Sequence, residues 1–309
     1  MNANQEEHEA GCRDEAQLHN ECKSGSTDSF VCLITPYLPS VRMAAYAVLR
    51  NREDVEDAVQ ETVLKAFTNI HQLREVASIR PWLVQIAVNE ARMRQRKYQP
   101  HRFESLQDDE DEEEFRPRQF VDWRNMPLKE LEREELRSAL IAALNRLDDG
   151  YREVFVLRDV QHISAQEVGQ MLDLSEAAVN TRLHRARLRM REMLTPLFRV
   201  SAKRWGPMSL KMVKLMGKRF LRKTISCTTV LSEISDYIDG NPAPALKAEI
   251  EEHLRTCDRC SAILDSTKKL LYIAGQEKVF AVPFTCNDNW KQLLREVRRS
   301  APPFRKEHT

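Results

Sequence analysis

The sequence predicts an all-α protein: two helical domains joined by an acidic linker, and a small C-terminal helical domain built around a metal. Three observations carry this. Glycine is scarce, 8 residues in 309, and turn clusters are few. Long stretches are rich in Ala, Leu, Glu and Arg, the residues that lose least in a helix. No Val/Ile/Thr alternation is sustained enough to demand a sheet. Apolar residues make up 42% of the chain, enough for packed cores, and the length suits two domains with a third small one.

The net charge of +1 points to no partner, but its distribution does. Residues 108–114 read DDEDEEE, whereas Arg182, Arg185, Arg187, Arg189 and Arg191 crowd one short stretch. Segregation of this kind gives separate segments separate jobs. No apolar N-terminal segment resembles a signal peptide, and no apolar run reaches the ~18 residues of a spanning helix, so a cytoplasmic protein is expected. Seven cysteines in a reducing compartment are thiols or metal ligands.

Residues 1–27 are polar and read as a disordered tail, in which His8, Cys12, His19 and Cys22 are incidental. Residues 28–99 form the first block. In EDVEDAVQETVLKAFTNI, Val55, Val59, Val63, Ala66 and Ile70 recur at helical spacing with acids opposite. IRPWLVQIAVNEARMRQRK starts a helix near Pro81, apolar in its first half (Trp82, Leu83, Ile86, Val88) and basic in its second. Residues 100–127 are the acidic linker. Residues 128–195 are a second helical block. Residues 196–223 are a basic connector, expected to pack on its neighbours and not on a membrane. Residues 224–275 hold a cysteine/histidine block, and 276–309 are a tail.

Within the second block, ISAQEVGQMLDLSEAAVNTRLHRARLRMRE has the layout of a helix-turn-helix. Ile163, Val168, Met171 and Leu172 face inward from the first helix, and Asp173-Leu174 make the turn. Ser175 is placed to cap the second helix through its hydroxyl. Val179, Leu183 and Ala186 face inward, leaving Asn180, Thr181, His184 and Arg185 outward. Outward Asn and Arg suit base edges. Arg182 and Arg187, like the other arginines, suit phosphates.

These two blocks together resemble the extracytoplasmic-function sigma factors, the promoter-specificity subunits of bacterial RNA polymerase. EDVEDAVQETVLKAF is similar to the acidic D-x-x-Q-E helix of region two, which grips core polymerase. The resemblance carries that role to Asp57, Gln60 and Glu61, with Leu64 and Phe67 as apolar support. IRPWLVQIAVNEAR is similar to the W-L-x-x-I-A-x-N segment, next to the loop that takes a flipped promoter base. It implies DNA contacts for Leu73, Arg74, Arg80 and Asn89, and phosphate contacts for Arg92, Arg94 and Arg96. Leu73 departs from members with an aromatic there, which removes a stacking face. The helix-turn-helix resembles region four, the reader of the upstream promoter element.

Further on, EEHLRTCDRC places His253, Cys257 and Cys260 in H-x3-C-x2-C spacing. Structural zinc takes four ligands in a closed site. Cys227 opens a pair of helices that, folded back, bring it beside the other three. The segment resembles zinc-binding anti-sigma domains, with an early Cys, a Y-x-D-G turn and H-x3-C-x2-C. A closed site with no acid set as general base argues against the rival reading of a zinc hydrolase with a nucleic-acid-binding arm. No phosphate loop, nucleophilic triad or small-molecule substrate site is recognisable, so the protein is not read as an enzyme.

The expectation is a sigma factor that binds core polymerase and promoter DNA, regulated through contact between its own zinc domain and its sigma domains. A tethered inhibitor and a required activator both fit the sequence, and so do structural and redox roles for the zinc. The alternative function is a stand-alone helix-turn-helix regulator with a zinc or redox sensor.

Overall fold

The computed structural model describes residues 14–98, 134–204 and 225–275. Every regular element among them is helical. The acidic linker, most of the basic connector, the tail after residue 275, His8, Cys12 and Cys286 lie outside the described residues. The chain divides into two units, one holding residues 1–100 and 282–309 and the other 101–281. Each is described by itself.

The first unit is a helical bundle. Its helices are α1 (Glu15–Lys23), α2 (Thr27–Ile34), α3 (Leu38–Val48), α4 (Arg52–Asn69) and α5 (Ile79–Tyr98). α4 begins where Asn51 accepts the Glu53 N–H at 3.1 Å, and acidic Glu53 and Asp54 sit in its first turn. Val55, Val59, Val63, Ala66 and Ile70 are all buried, so the helical spacing marks the core face. α5 turns Leu83, Val84, Ala87, Val88 and Ala91 inward, while Trp82 and Ile86 are half-buried. Phe30 and Phe67 meet edge to face at 5.1 Å.

The expected tail of residues 1–27 differs in the structure. Asp14 caps α1, whose Leu18, His19 and Cys22 are buried. One i,i+4 apolar pair in nine residues is too short a signal for periodicity to show. The stretch Thr27–Val48 is also long and apolar enough to cross a membrane, contrary to the sequence expectation. In the structure it comprises α2, α3 and the turn between them, with Phe30, Leu33, Ile34, Val41 and Ala44 in the core.

The second unit starts with α6 (Glu134–Arg146) and α7 (Asp149–Phe155), which runs on as a π turn through Val160. α8 (Ala165–Leu172) and α9 (Glu176–Arg204) form the helix-turn-helix. A full capping box joins Ser164 and Glu167 at the start of α8. Asp173 takes the left-handed conformation at φ 58°, and Ser175 Oγ accepts the Ala178 N–H at 3.1 Å, starting α9. Gly169 is required at the turn: a Cβ there would lie 2.7 Å from the Leu174 carbonyl oxygen. Val168, Met171, Leu172, Val179, Leu183 and Ala186 are buried, as their spacing demands.

The last four helices are α10 (Cys227–Ser232), α11 (Ile234–Asp239), α12 (Pro244–Thr256) and α13 (Asp258–Ala274). Gly240 ends α11 at φ 81°, where a side chain would be strained. Their own core is small: Val230, Ile250 and Cys260, with Ile225, Tyr237, Leu246 and Leu254 packed against it. A core of this size needs a further staple.

Candidate polymerase, promoter and metal sites

On the first unit, α4 exposes Asp57 and Gln60 and half-exposes Glu61 and Leu64. These four share one face of the helix, an acidic and amide surface with an apolar step. Asp57 is not alone there: Arg94 of α5 reaches its Oδ2 at 3.1 Å. Phe67 does not belong to this surface. It is 2% exposed and set edge to face against Phe30, so its role is to hold α4 in the bundle.

Of the loop and α5 residues expected at DNA, Arg74, Asn89 and Arg96 are exposed, and Arg80, Arg92 and Arg94 are half-buried. Leu73 is buried beneath the loop, so it shapes the loop and presents no face to a base. Its apolar side chain completes the core at the end of α4, a role that outweighs exposure.

On the second unit, Asn180, Arg182 and Arg185 are half-exposed on the first turns of α9, and Thr181 is exposed. Two other expected contacts lie elsewhere. Arg187 is 2% exposed. Its Nη2 and Nε donate to Asp159 at 2.7 and 2.9 Å, a fork that ties α9 to the helix before the turn motif. Burial opposes its charge, but the bonds and charge of Asp159 and then of Asp239 outweigh that and raise its pKa. Arg187 is therefore a structural arginine of the helix-turn-helix, and a phosphate contact from it is not what the structure holds.

The zinc-motif segment packs against the same stripe of α9. α11 and α13 lie along α9. His184 Nδ1 is 3.0 Å from Ser235 Oγ. Arg187 also donates to Asp239, with Nη2–Oδ1 2.9 Å and Nη1–Oδ2 3.1 Å, and Arg191 Nε donates to Ser266 Oγ at 2.6 Å. His184, Arg187 and Arg191 stand at i, i+3 and i+7, one stripe of α9. Burial, then the charges of Arg187 and Arg185, push the His184 pKa down to about 4. Ser235, Asp239, Ser266 and Asp159 were not singled out from the sequence. Asp239 lies in the Y-x-D-G turn, whose acid was the available signal.

The four expected metal ligands converge. The donor atoms of Cys227, His253, Cys257 and Cys260 all lie within 4.8 Å of one another. Cys227 Sγ is 3.5 Å from His253 Nε2 and 3.8 Å from Cys257 Sγ. A tetrahedron with Zn–S bonds of about 2.3 Å and a Zn–N bond of about 2.0 Å has S···S edges of about 3.8 Å and S···N edges of about 3.5 Å. The residues therefore fit a four-coordinate structural ion. Cys257 is the N-cap of α13 and Cys260 lies in its first turn. Burial opposes a thiolate at Cys257, but the N–H and thiol of Cys260, the Cys227 thiol and the Arg259 N–H together hold it below its usual pKa. A helix N-terminus of this kind prepares a metal-binding sulfur. Among the described residues no other such cluster occurs.

Comparison with known families places three matches on these elements. The family description "Sigma-70 region 2" matches residues 33–100, "Sigma-70, region 4" matches 137–190, and a zinc-finger family matches 227–261. The chain is 28% identical over 177 residues to the ECF RNA polymerase sigma factor SigW of Bacillus subtilis, covering 57% of this chain and 95% of that protein. It is 28% identical over 171 residues to the RNA polymerase sigma factor YlaC of the same organism, covering 54% of this chain and 93% of that one. It is 32% identical over 168 residues to the ECF RNA polymerase sigma factor SigG of Mycobacterium tuberculosis, covering 49% and 45%. With a region-two bundle, a region-four helix-turn-helix and a converged Cys3His cluster following them in one chain, the protein belongs to the extracytoplasmic-function sigma factors of the sigma-70 family and carries a zinc-finger, anti-sigma-like domain at its C-terminal side.

Proposed function

We propose that this sigma factor directs promoter-specific initiation with core RNA polymerase, and that its own zinc domain, docked on α9, holds region four closed to DNA. The observation that carries the closed reading is the pairing of His184 and Arg187 on the recognition helix with Ser235 and Asp239 on α11. A major groove about 12 Å wide admits one helix, and a helix with its side chains is already about 10–12 Å across. A second helix against the middle of α9 leaves no room for that entry.

Tethering supports the reading energetically. A linked module works at an effective concentration of about millimolar, so a modest contact is enough to close it. Opening then needs a ligand that prefers the open state, and polymerase and promoter together are candidates. In this reading the surface of Asp57, Gln60, Glu61 and Leu64 meets polymerase, and Arg74, Asn89 and Arg96 meet the downstream element. Asn180, Thr181 and Arg185 read the upstream one. Zinc, held by Cys227, His253, Cys257 and Cys260, cross-links α10 to α12 and α13 and so keeps α11 and α13 in position to clamp α9. The protein acts where polymerase and DNA are, in the cytoplasm, and carries no catalysis of its own.

The test compares the full chain with a truncation ending at residue 205, in core polymerase binding and promoter-directed transcription. Higher activity of the truncation supports closure by the zinc domain. An inactive truncation beside an active full chain makes the domain an activator. If neither form engages polymerase while both bind DNA, the stand-alone regulator replaces the sigma reading.

A further inference from the structure

Arg187 and Arg191 sit four residues apart on the same stripe of α9, and their surroundings are opposite. Arg187 is gripped by two carboxylates. Arg191 is fully buried, yet it makes one hydrogen bond, from Nε to Ser266 Oγ at 2.6 Å. Its Nη1 and Nη2 are buried with no hydrogen-bond partner among the described residues. Ser266 gives its own proton to the Ile263 carbonyl at 2.9 Å, so its hydroxyl serves Arg191 only as an acceptor. Of the charges that act on Arg191, Glu192 is its neighbour on α9 and Arg259, at the start of α13, repels it. Burial lowers its pKa to about 10, which leaves it charged near neutrality.

A guanidinium carries five N–H donors, all of which water satisfies when the side chain is free. Closing α13 over Arg191 strips that water and returns a single bond. Replacing such an uncompensated buried ion by an apolar side chain of similar size commonly stabilises an interface.

We infer that Arg191 is a built-in weakener of the contact between α9 and the zinc domain, keeping the closed state reversible. The inference rests on the closed reading above. A tethered domain with a fully satisfied interface would close region four so strongly that no partner could reopen it, because a ligand shifts an equilibrium only by its differential affinity. An unpaired charge buried in the interface lowers the closing constant into the range that polymerase and DNA can overcome. On opening, Arg191 recovers its hydration, so the same residue favours the released state.

The test is hydrogen exchange of the α11 backbone amides in the full-length, zinc-loaded chain, comparing the wild type with Arg191→Met and Asp239→Asn. Asp239→Asn removes a contact that favours closure and is expected to speed exchange. Arg191→Met is expected to slow it by about tenfold, with promoter-directed transcription falling in parallel. Should Arg191→Met disturb the helical content seen by circular dichroism, Arg191→Leu takes its place. If Asp239→Asn leaves exchange unchanged, the closed reading fails and the inference falls with it. If Asp239→Asn speeds exchange while the Arg191 variants leave it unchanged or speed it, closure stands and the role given to Arg191 is overturned.

Discussion

Arg187 and Asp239 form a two-pronged ion pair, 2.9 and 3.1 Å, between the recognition helix and the zinc domain. On its other side the same guanidinium holds Asp159, so one arginine joins the helix-turn-helix internally and also fastens the domain onto it. The two acids are therefore expected to behave differently. Asp239→Asn should loosen closure by about 2 kcal/mol, roughly thirtyfold in the closing equilibrium, and leave the helix-turn-helix folded. Asp159→Asn should destabilise the helix-turn-helix itself by about 3 kcal/mol, because it leaves a buried charge short of its main partner. Urea melts of the full chain, alongside exchange at α11, separate the two effects.

Closure is expected to weaken in acid through His184. Its pKa is about 4 when closed and 6.5 ordinarily, so the closed state prefers the neutral ring. Above about pH 6.5 the ring is neutral in both states and nothing is lost. As the pH falls below about 6.5 the open state takes up a proton that the closed state refuses, and closure weakens by the part of the shift that burial causes, since Arg187 and Arg185 lie on the same helix and act on the ring in both states. The groups facing the ring are Arg185 and Arg187 on its own helix and Ser235 on α11. Exchange at α11 measured from pH 7 to 5.5 should rise in the wild type and stay flatter in His184→Asn. Equal slopes would remove His184 as the cause.

Native mass spectrometry should find one zinc per chain, lost in Cys227→Ser and Cys260→Ser. Chelation should unfold α10 to α13 and leave α6 to α8 protected, since structural zinc contributes about 10 kcal/mol or more to small domains and the apolar core here is slight. Retained protection in α12 and α13 after chelation would show that the fold stands without metal.

Gln60 and Phe67 lie on the same helix, and their substitutions should separate binding from stability. Gln60→Ala, at an exposed position, should change stability by no more than about 0.5 kcal/mol and lower core polymerase affinity by about tenfold. Phe67→Ala removes a ring packed edge to face against Phe30 and should cost about 4 kcal/mol of stability. Fluorescence anisotropy with core polymerase and thermal unfolding read the two quantities.

Helical class, the helix-turn-helix and three of the four residues of the Cys/His cluster were legible along the chain because each is written in local spacing, while Cys227 needed the fold-back of a helix pair. Val179, Leu183 and Ala186 mark an inward stripe by period alone, Ser175 declares a cap, and H-x3-C-x2-C keeps His253, Cys257 and Cys260 together around what the structure shows to be the break between α12 and α13, not on successive turns of one helix. α1 was not legible, since Leu18 and Cys22 give too few repeats for a period to emerge. Surface and core were confused at Phe67, Leu73 and Arg187, where residue type and position suit either role. An arginine on a basic helix reads as a DNA contact until its partner is known, and the partner, Asp159, lies 28 residues away. The sequence thus determined which elements form and which chemistry each can bear. Only the tertiary structure decided that α11 and α13 lie on α9, because ion pairs and desolvation depend on distances between segments far apart in the chain, and these are set by packing and not by local spacing.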